Sequence, residues 1–307
     1  MIAVVGADGT VGSALAAALG AGRVVYRDPR PGEIPIGEAD DLLRSAAVVI
    51  NASGFRVRPG LDAADYRRTH VEEVARLVPR LPHGALLVQI SSASVLGKDP
   101  VRPLGNDIAG RPETFGCPAY ALAKKEAEEV ARGEAAARGL KIAVVRPAVL
   151  YGPEPDGMLG TLLTLGRKGL LLGLVPAGHR HHLCSFPLLV EAIDRIARAR
   201  DGIAPPLVVA DPFVVTSAEI AAAIRDIHHP RMTIPFPASL CGAFLRLLPR
   251  AASARLDLRT WGEILGILAL DTVYDPSGTF RQLGIDPARF SRERTWERLL
   301  RGLKAEP

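Results

Sequence analysis

Cysteine is scarce in this 307-residue chain, which has only Cys117, Cys184 and Cys241. Their number is odd and their wide spacing is not that of a metal site, so the expectation is reduced thiols in a cytoplasm. Aromatic residues are also few, at 5%. Binding nucleic acid calls for a basic stripe with aromatic platforms. Here the net charge is +5 with lysines and arginines scattered among acids, so no nucleic-acid partner is expected. That modest excess leaves two readings, a basic pocket for a phosphate-bearing ligand or a solvated surface. No apolar run is clean enough for a membrane span of about 20 residues. The most apolar region, Met158 to Ala177, is broken by Arg167-Lys168 and several glycines and reads as buried helix and loop. The N-terminus passes straight into Met1-Ile2-Ala3-Val4-Val5 without the basic segment of a secretory signal. A soluble cytoplasmic protein is the expectation, with no membrane partner.

What is present is ordinary globular composition, 48% apolar and 23% charged. Short apolar runs at Ile2–Val5, Arg23–Tyr26, Ala47–Asn51, Leu86–Ser91 and Lys141–Arg146 alternate with helical patterns at Val11–Leu19, Tyr66–Leu77 and Ala121–Arg138. Strands apolar on both faces and separated by helices predict a doubly wound parallel sheet of the Rossmann type. After Val149 the turn-rich Tyr151-Gly152-Pro153-Glu154-Pro155-Asp156-Gly157 marks a lobe boundary. The division is a dinucleotide-binding domain over 1–150 and a smaller mixed α/β lobe over 151–307, with about 185–212 packing back onto the first. Helices are expected at Leu159–Arg167, Leu188–Ala199, Ser217–Asp226 and Pro237–Leu248 and from about Ser291, with a strand at Leu207–Ala210.

Three motifs carry chemistry. Gly6-Ala7-Asp8-Gly9-Thr10-Val11-Gly12 follows the first strand and opens a helix. Such a loop brings backbone close to a pyrophosphate and aims a helix N-terminus at it. Tyr120-Ala121-Leu122-Ala123-Lys124 puts a phenol and an ammonium on one helix face. The ammonium can lower the phenol's pKa from about 10, which suits proton exchange with a hydroxyl or keto oxygen. Alone, the pair reads as a surface tyrosine beside a solvated lysine. Ile90-Ser91-Ser92-Ala93-Ser94-Val95-Leu96-Gly97 stands at the C-terminal end of a buried strand, where open α/β sheets bind ligands. Alone, it reads as a serine-rich turn.

Together and in this order, the three resemble the extended branch of the short-chain dehydrogenase/reductase family, of the NAD-dependent epimerase/dehydratase type. The resemblance implies that Ser92 polarises the substrate with Ser91 as its neighbour. It makes Tyr120 the general acid/base, and Lys124 the group that lowers its pKa and holds the nicotinamide ribose. It also implies dinucleotide contacts from Gly6, Asp8, Gly9, Thr10, Val11 and Gly12. Further contacts fall to Asn51, Ala52 and Ser53 after the third apolar run and to Pro147 after Arg146. The likeness continues through Arg146-Pro147-Ala148-Val149-Leu150-Tyr151-Gly152-Pro153, Tyr274-Asp275-Pro276-Ser277 and Leu283-Gly284-Ile285-Asp286-Pro287. Dimerisation through two helices is common in that family, which implies a possible homodimer.

A narrower stretch, Gly157–Leu163 through Arg167–Gly173 and then His179-Arg180-His181-His182, is similar to a subgroup of nucleotide-sugar 4-epimerases and 4-reductases. That likeness implies Arg180 and His181 as donors to a nucleotide diphosphate; a solvated basic loop is the plain alternative. No metal is expected at these histidines, which lack acidic or cysteine partners at ligand spacing. The chain departs from the family in three places. His70 stands where an asparagine is usual, Ala148 where many epimerases have asparagine, and Ser185-Phe186-Pro187-Leu188-Leu189 replaces an acidic pair. At the second strand's end Asp28 would suit the ribose of NAD and Arg27 the extra phosphate of NADP. With Arg27 read as the last strand residue, the balance falls to NADP. The alternatives to a nucleotide-sugar enzyme are a reductase of a hydrophobic alcohol or ketone, carried by the apolar Leu170–Val175 and Ser239–Leu248, and a non-catalytic cofactor-binding subunit.

Overall fold

The computed structural model describes residues 1–57, 61–98, 103–106, 108–152, 157–175, 178–237 and 271–305. Its main layer is a seven-stranded sheet made of β1 (Ile2–Val5), β2 (Gly22–Val25), β3 (Glu33–Pro35), β4 (Val48–Asn51), β5 (Leu86–Ile90), β6 (Lys141–Pro147) and β10 (Ile203–Val209). The strand order is β10-β6-β5-β4-β1-β2-β3 and every pairing is parallel. The reason lies in the strands themselves. Val4, Ile50, Val88 and Val145 join one core cluster, while Ala3, Val5, Val49 and Leu87 join another on the opposite face. Because both alternating sets are apolar, both faces must be covered by helices.

On the first face lie α1 (Thr10–Leu19), through Leu15 and Ala16, and α7 (Phe186–Ala199), through Leu189, Ile193 and Ile196. On the second lie α2 (Asp40–Ser45), the helical segments α3 (Ala63–Arg67) and α4 (Glu73–Leu77), and α5 (Pro118–Ala137). Of these, α2, α4 and α5 contribute Leu43, Val74, Leu77, Ala127, Ala131 and Ala135, while Tyr66 of α3 packs with Cys117 and Ala123. A π-helical turn, Arg68–Glu72, joins α3 to α4 and interrupts the helix expected over Tyr66–Leu77. Strand β3 and helix α2 have only three and six residues, too few for a periodic signal to show.

The smaller elements comprise a three-stranded sheet, β11-β9-β7, and a two-stranded parallel pair, β12-β8. They are β7 (Val149–Tyr151), β8 (Leu170–Val175), β9 (Arg180–Ser185), β11 (Val214–Thr216) and β12 (Met232–Pro237). Helices α6 (Gly157–Arg167), α8 (Ser217–His228), α9 (Ser277–Leu283) and α10 (Trp296–Ala305) complete the chain. Leu170–Val175 was expected as loop and is instead a strand, paired residue by residue with β12. The helix expected over 237–248, with the apolar stretch 239–248 and Cys241, lies outside the described residues. Among the described residues no helix is long and apolar enough to cross a membrane.

A buried carboxylate ties the two sheets together. Asp211, just past β10 and fully buried, accepts from the Ser185 backbone N–H and hydroxyl and from the Tyr151 hydroxyl. Burial outweighs these donors and pushes its pKa up to about 6. A carboxyl whose folded pKa is raised holds its proton more tightly folded than unfolded. Its contribution is therefore full below the ordinary carboxylate range and is lost as pH rises to about 6. Asp211→Asn removes that titration, so the melting temperature of the variant relative to wild type is expected to rise between about pH 4 and about pH 7. A difference that stays flat across that series would refute the assignment.

Candidate active site

The glycine loop is shaped by contacts between backbones. Gly6 has φ +81°, and a Cβ there would lie 2.8 Å from the backbone of Ser53. A Cβ on Gly12 would lie 2.1 Å from the Gly6 carbonyl oxygen. Loop, β4 end and first turn of α1 therefore meet without side chains between them. Gly9 is the N-cap of α1 and supplies no side-chain cap. The helix thus presents its N-terminal backbone, at Thr10, Val11 and Gly12, and its positive dipole end at the sheet's C-terminal edge.

Neighbouring side chains hold this edge rigid. Asn51 donates to Gln89 Oε1 at 2.9 Å, and its own Oδ1 accepts from the Ser53 hydroxyl at 2.6 Å and the Ser53 N–H at 3.1 Å. Asn51 and Ser53 are thus occupied with each other, and Ala52 between them hydrogen-bonds through its N–H to Val5. Pro147 closes β6 opposite Val209. Beyond β2 the chain turns sooner than expected: the strand ends at Val25, so Arg27 is not its last residue. Arg27 reaches back to the glycine loop, where its Nε donates to Asp8 Oδ2 at 2.9 Å. Its side chain is largely exposed, as is Asp28.

At the C-terminal end of β5 the serine segment forms a short 3-10 turn, Ala93–Leu96, capped by Ser92, whose hydroxyl accepts from the Ser94 N–H at 3.2 Å. The Ser91 and Ser94 hydroxyls are buried with no hydrogen-bond partner among the described residues. Buried hydroxyls left unpaired are costly, so their presence at the same C-terminal sheet edge as the glycine loop fits a polar ligand that completes them.

Helix α5 begins at Pro118, a residue suited to a first turn, and so sets Tyr120 and Lys124 on the face toward β5. The Tyr120 hydroxyl hydrogen-bonds Ser92, while burial pushes its pKa up to about 12, in place of the lowering expected from Lys124. Its ring stands edge-on to Tyr66 and to His70, both at 5.6 Å between centroids. Lys124 is buried and donates from Nζ to the Ile90 carbonyl at 3.2 Å, and burial draws its pKa down to about 8. His70 projects from the π turn, with Nε2 2.9 Å from the Phe55 carbonyl oxygen. Burial and the Lys124 charge push its pKa well below the ordinary range, so its imidazole is neutral. Its place against the Tyr120 ring was not legible from its sequence position; a π-bulge has no periodic signature.

The basic tract departs from expectation. His181 is 1% exposed, and its two ring nitrogens meet Thr272 Oγ1 at 2.9 Å and Ser217 Oγ at 2.8 Å. With both nitrogens engaged and its pKa drawn down to about 4 by burial, it is a neutral buried clip and not a phosphate donor. Arg180 is exposed and paired with Asp271 at 3.1 Å. The alternation of β9 is the cause, since adjacent side chains must point to opposite faces. Among the described residues no group of three or more histidine, cysteine or acidic side chains is placed to hold a metal.

A doubly wound parallel sheet, a side-chain-free loop over a helix N-terminus and a serine–tyrosine–lysine set at the same edge define a dinucleotide-binding enzyme of the Rossmann class. Residues 2–174 match the model of the NAD dependent epimerase/dehydratase family, and the chain belongs to that family. No curated protein matches the chain. Among solved structures it is similar to MoeE5 in complex with UDP-glucuronic acid and NAD, at 24% identity over 77% of this chain and 85% of that one, with TM-score 0.65. It is also similar to the human epimerase family protein SDR39U1 with NADPH, at 19% identity over 100% and 99%, TM-score 0.72. UDP-glucuronic acid 4-epimerase from Bacillus cereus, in complex with UDP-glucuronic acid and NAD, is 16% identical over 99% and 97%, TM-score 0.73. At these identities the likeness shows the fold.

Proposed function

We propose that this enzyme transfers hydride to and from a nucleotide-sugar as a 4-epimerase or 4-ketoreductase, with a nicotinamide dinucleotide as cofactor and NADP favoured. The observation that carries the reading is the placement of Ser92, Tyr120 and Lys124 around the C-terminal end of β5, on the same sheet edge as the glycine loop. Family membership and structural neighbours that hold UDP-sugars support it. The substrate lobe would be 151–307, with β10 and α7 returned to the dinucleotide domain.

The glycine loop and the α1 N-terminus would hold the pyrophosphate, with Ala52 and Pro147 along the edge and Ser91 completing a polar contact. Bound NAD(P) supplies hydride exchange at the nicotinamide. Arg27, anchored by Asp8 and open to solvent, is the cation suited to a 2′-phosphate. The enzyme's own groups handle the proton. Tyr120 is a phenol at neutral pH, the form that donates to a substrate keto oxygen during reduction. Ser92 holds that oxygen by hydrogen bond. The Lys124 ammonium, on the same helix face, stabilises the phenolate left after donation. In the oxidising direction the same groups receive the proton, and an epimerase would use both directions.

Titration calorimetry on the purified chain tests the reading. NADP is expected to bind at least about tenfold more tightly than NAD, and UDP, dTDP, GDP or CDP to bind the dinucleotide-loaded protein. If none of the four diphosphates binds, the nucleotide-sugar assignment is wrong.

A further inference from the structure

The Glu128–Arg146 ion pair has no part in the proton scheme, yet it is buried, with side-chain exposures of 4% and 12%. Arg146 Nε donates to Glu128 Oε1 at 2.9 Å and Nη2 donates to Oε2 at 2.6 Å, a two-pronged fork that takes both carboxylate oxygens. Burying such a pair seldom adds stability over apolar residues of the same size. Its position offers another reason. Glu128 lies four residues after Lys124, hence one turn along the same face of α5, and its charge favours the Lys124 ammonium. Arg146 approaches from β6.

The other groups around Lys124 carry little charge. Tyr120, one turn before it on α5, is a phenol, and His70, from the π turn, is neutral. Burial works to neutralise Lys124, and Glu128 opposes it. A free carboxylate one helical turn away would compete with the Ile90 carbonyl for Nζ. One whose two oxygens are already held by an arginine acts on the ammonium through space.

We propose that Glu128 and Arg146 are positioning residues: the arginine-clamped carboxylate keeps Lys124 protonated at neutral pH and leaves its ammonium beside Ile90 and Tyr120. The inference rests on the proposed role of Lys124, but its test needs no substrate.

The experiment is NMR titration of the full chain labelled with ¹³C at the lysine ε-carbon. The sequence has six lysines, and the Lys124 signal is assigned by its loss in Lys124→Arg. Glu128→Gln removes the carboxylate and leaves the arginine without its partner. The Lys124 midpoint is expected to fall by about one unit or more. The double variant Glu128→Leu/Arg146→Met replaces the pair with apolar volume and guards against misfolding. Its midpoint is expected to fall too, because the same carboxylate is gone. An unchanged midpoint in the folded variants overturns the proposal. In turnover, the kcat deficit of Glu128→Gln is expected to widen as pH rises, because Lys124 then loses its proton earlier. A deficit constant with pH would mark a packing role and also overturn it. Diphosphates failing to bind while the midpoint still shifts would overturn only the substrate assignment.

Discussion

Tyr120→Phe is expected to lower kcat by about 10²–10⁴-fold, the usual contribution of a positioned acid/base, with dinucleotide affinity and melting temperature near wild type. The substitution removes one hydroxyl and its hydrogen bond to Ser92. It leaves the ring, and the ring makes the edge-on contacts with Tyr66 and His70. The phenol is buried, so its loss also removes a desolvation cost, and a net hydrogen bond is worth only about 1 kcal/mol. Stability and chemistry therefore separate cleanly in this variant. Steady-state kinetics with dinucleotide binding measured in parallel checks it. Turnover within threefold of wild type would remove Tyr120 from the proton path and leave the dinucleotide site standing.

The second large effect belongs to the glycine loop. In Gly12→Ala the new methyl would sit 2.1 Å from the Gly6 oxygen, 2.7 Å from the Gly6 carbonyl carbon and 3.1 Å from the Ala7 Cα. All three are backbone atoms, so no flexible side chain can yield and the loop or the first turn of α1 must move. Alanine inside a helix recovers about 1 kcal/mol over glycine, whereas overpacking costs typically 1–3 kcal/mol or more; the clash wins. Dinucleotide affinity is expected to fall by about a hundredfold or more, since close backbone approach is what the loop offers a pyrophosphate. Gly20→Ala is the control. That residue caps α1 at φ 57° with nothing within 4 Å of an added Cβ. It should lose about 1 kcal/mol of stability to backbone strain and keep full dinucleotide affinity. Wild-type affinity in Gly12→Ala would show that the pyrophosphate does not lie over this loop.

These residues also show how far the sequence could be read. The apolar run at Ile2–Val5 announced a buried parallel strand because both alternating sets of side chains are aliphatic. Helix α5 was legible from its alanine, glutamate and lysine content. Strand β8 was not: a leucine run broken by Gly173 has only Val175 as a β-branched residue to mark it, and its partner β12 lies some sixty positions on. Arg27 was taken as the end of a strand that closes at Val25, so its pairing with Asp8 was not foreseen.

The motifs themselves, in order along the chain, were enough for the fold class and to single out the glycine loop and the Ser92, Tyr120 and Lys124 set as candidates. Each depends on local conformation, whether a turn, a helix face or a strand end, and local conformation follows from neighbours within a few positions. The tertiary structure alone decided which polar groups share an environment. It turned His181 inward to Ser217 and Thr272, brought His70 against Tyr120, and clamped Glu128 with an arginine eighteen residues away. Strand register and helix packing choose such partners, and with them the burial that shifts a pKa or holds a charge.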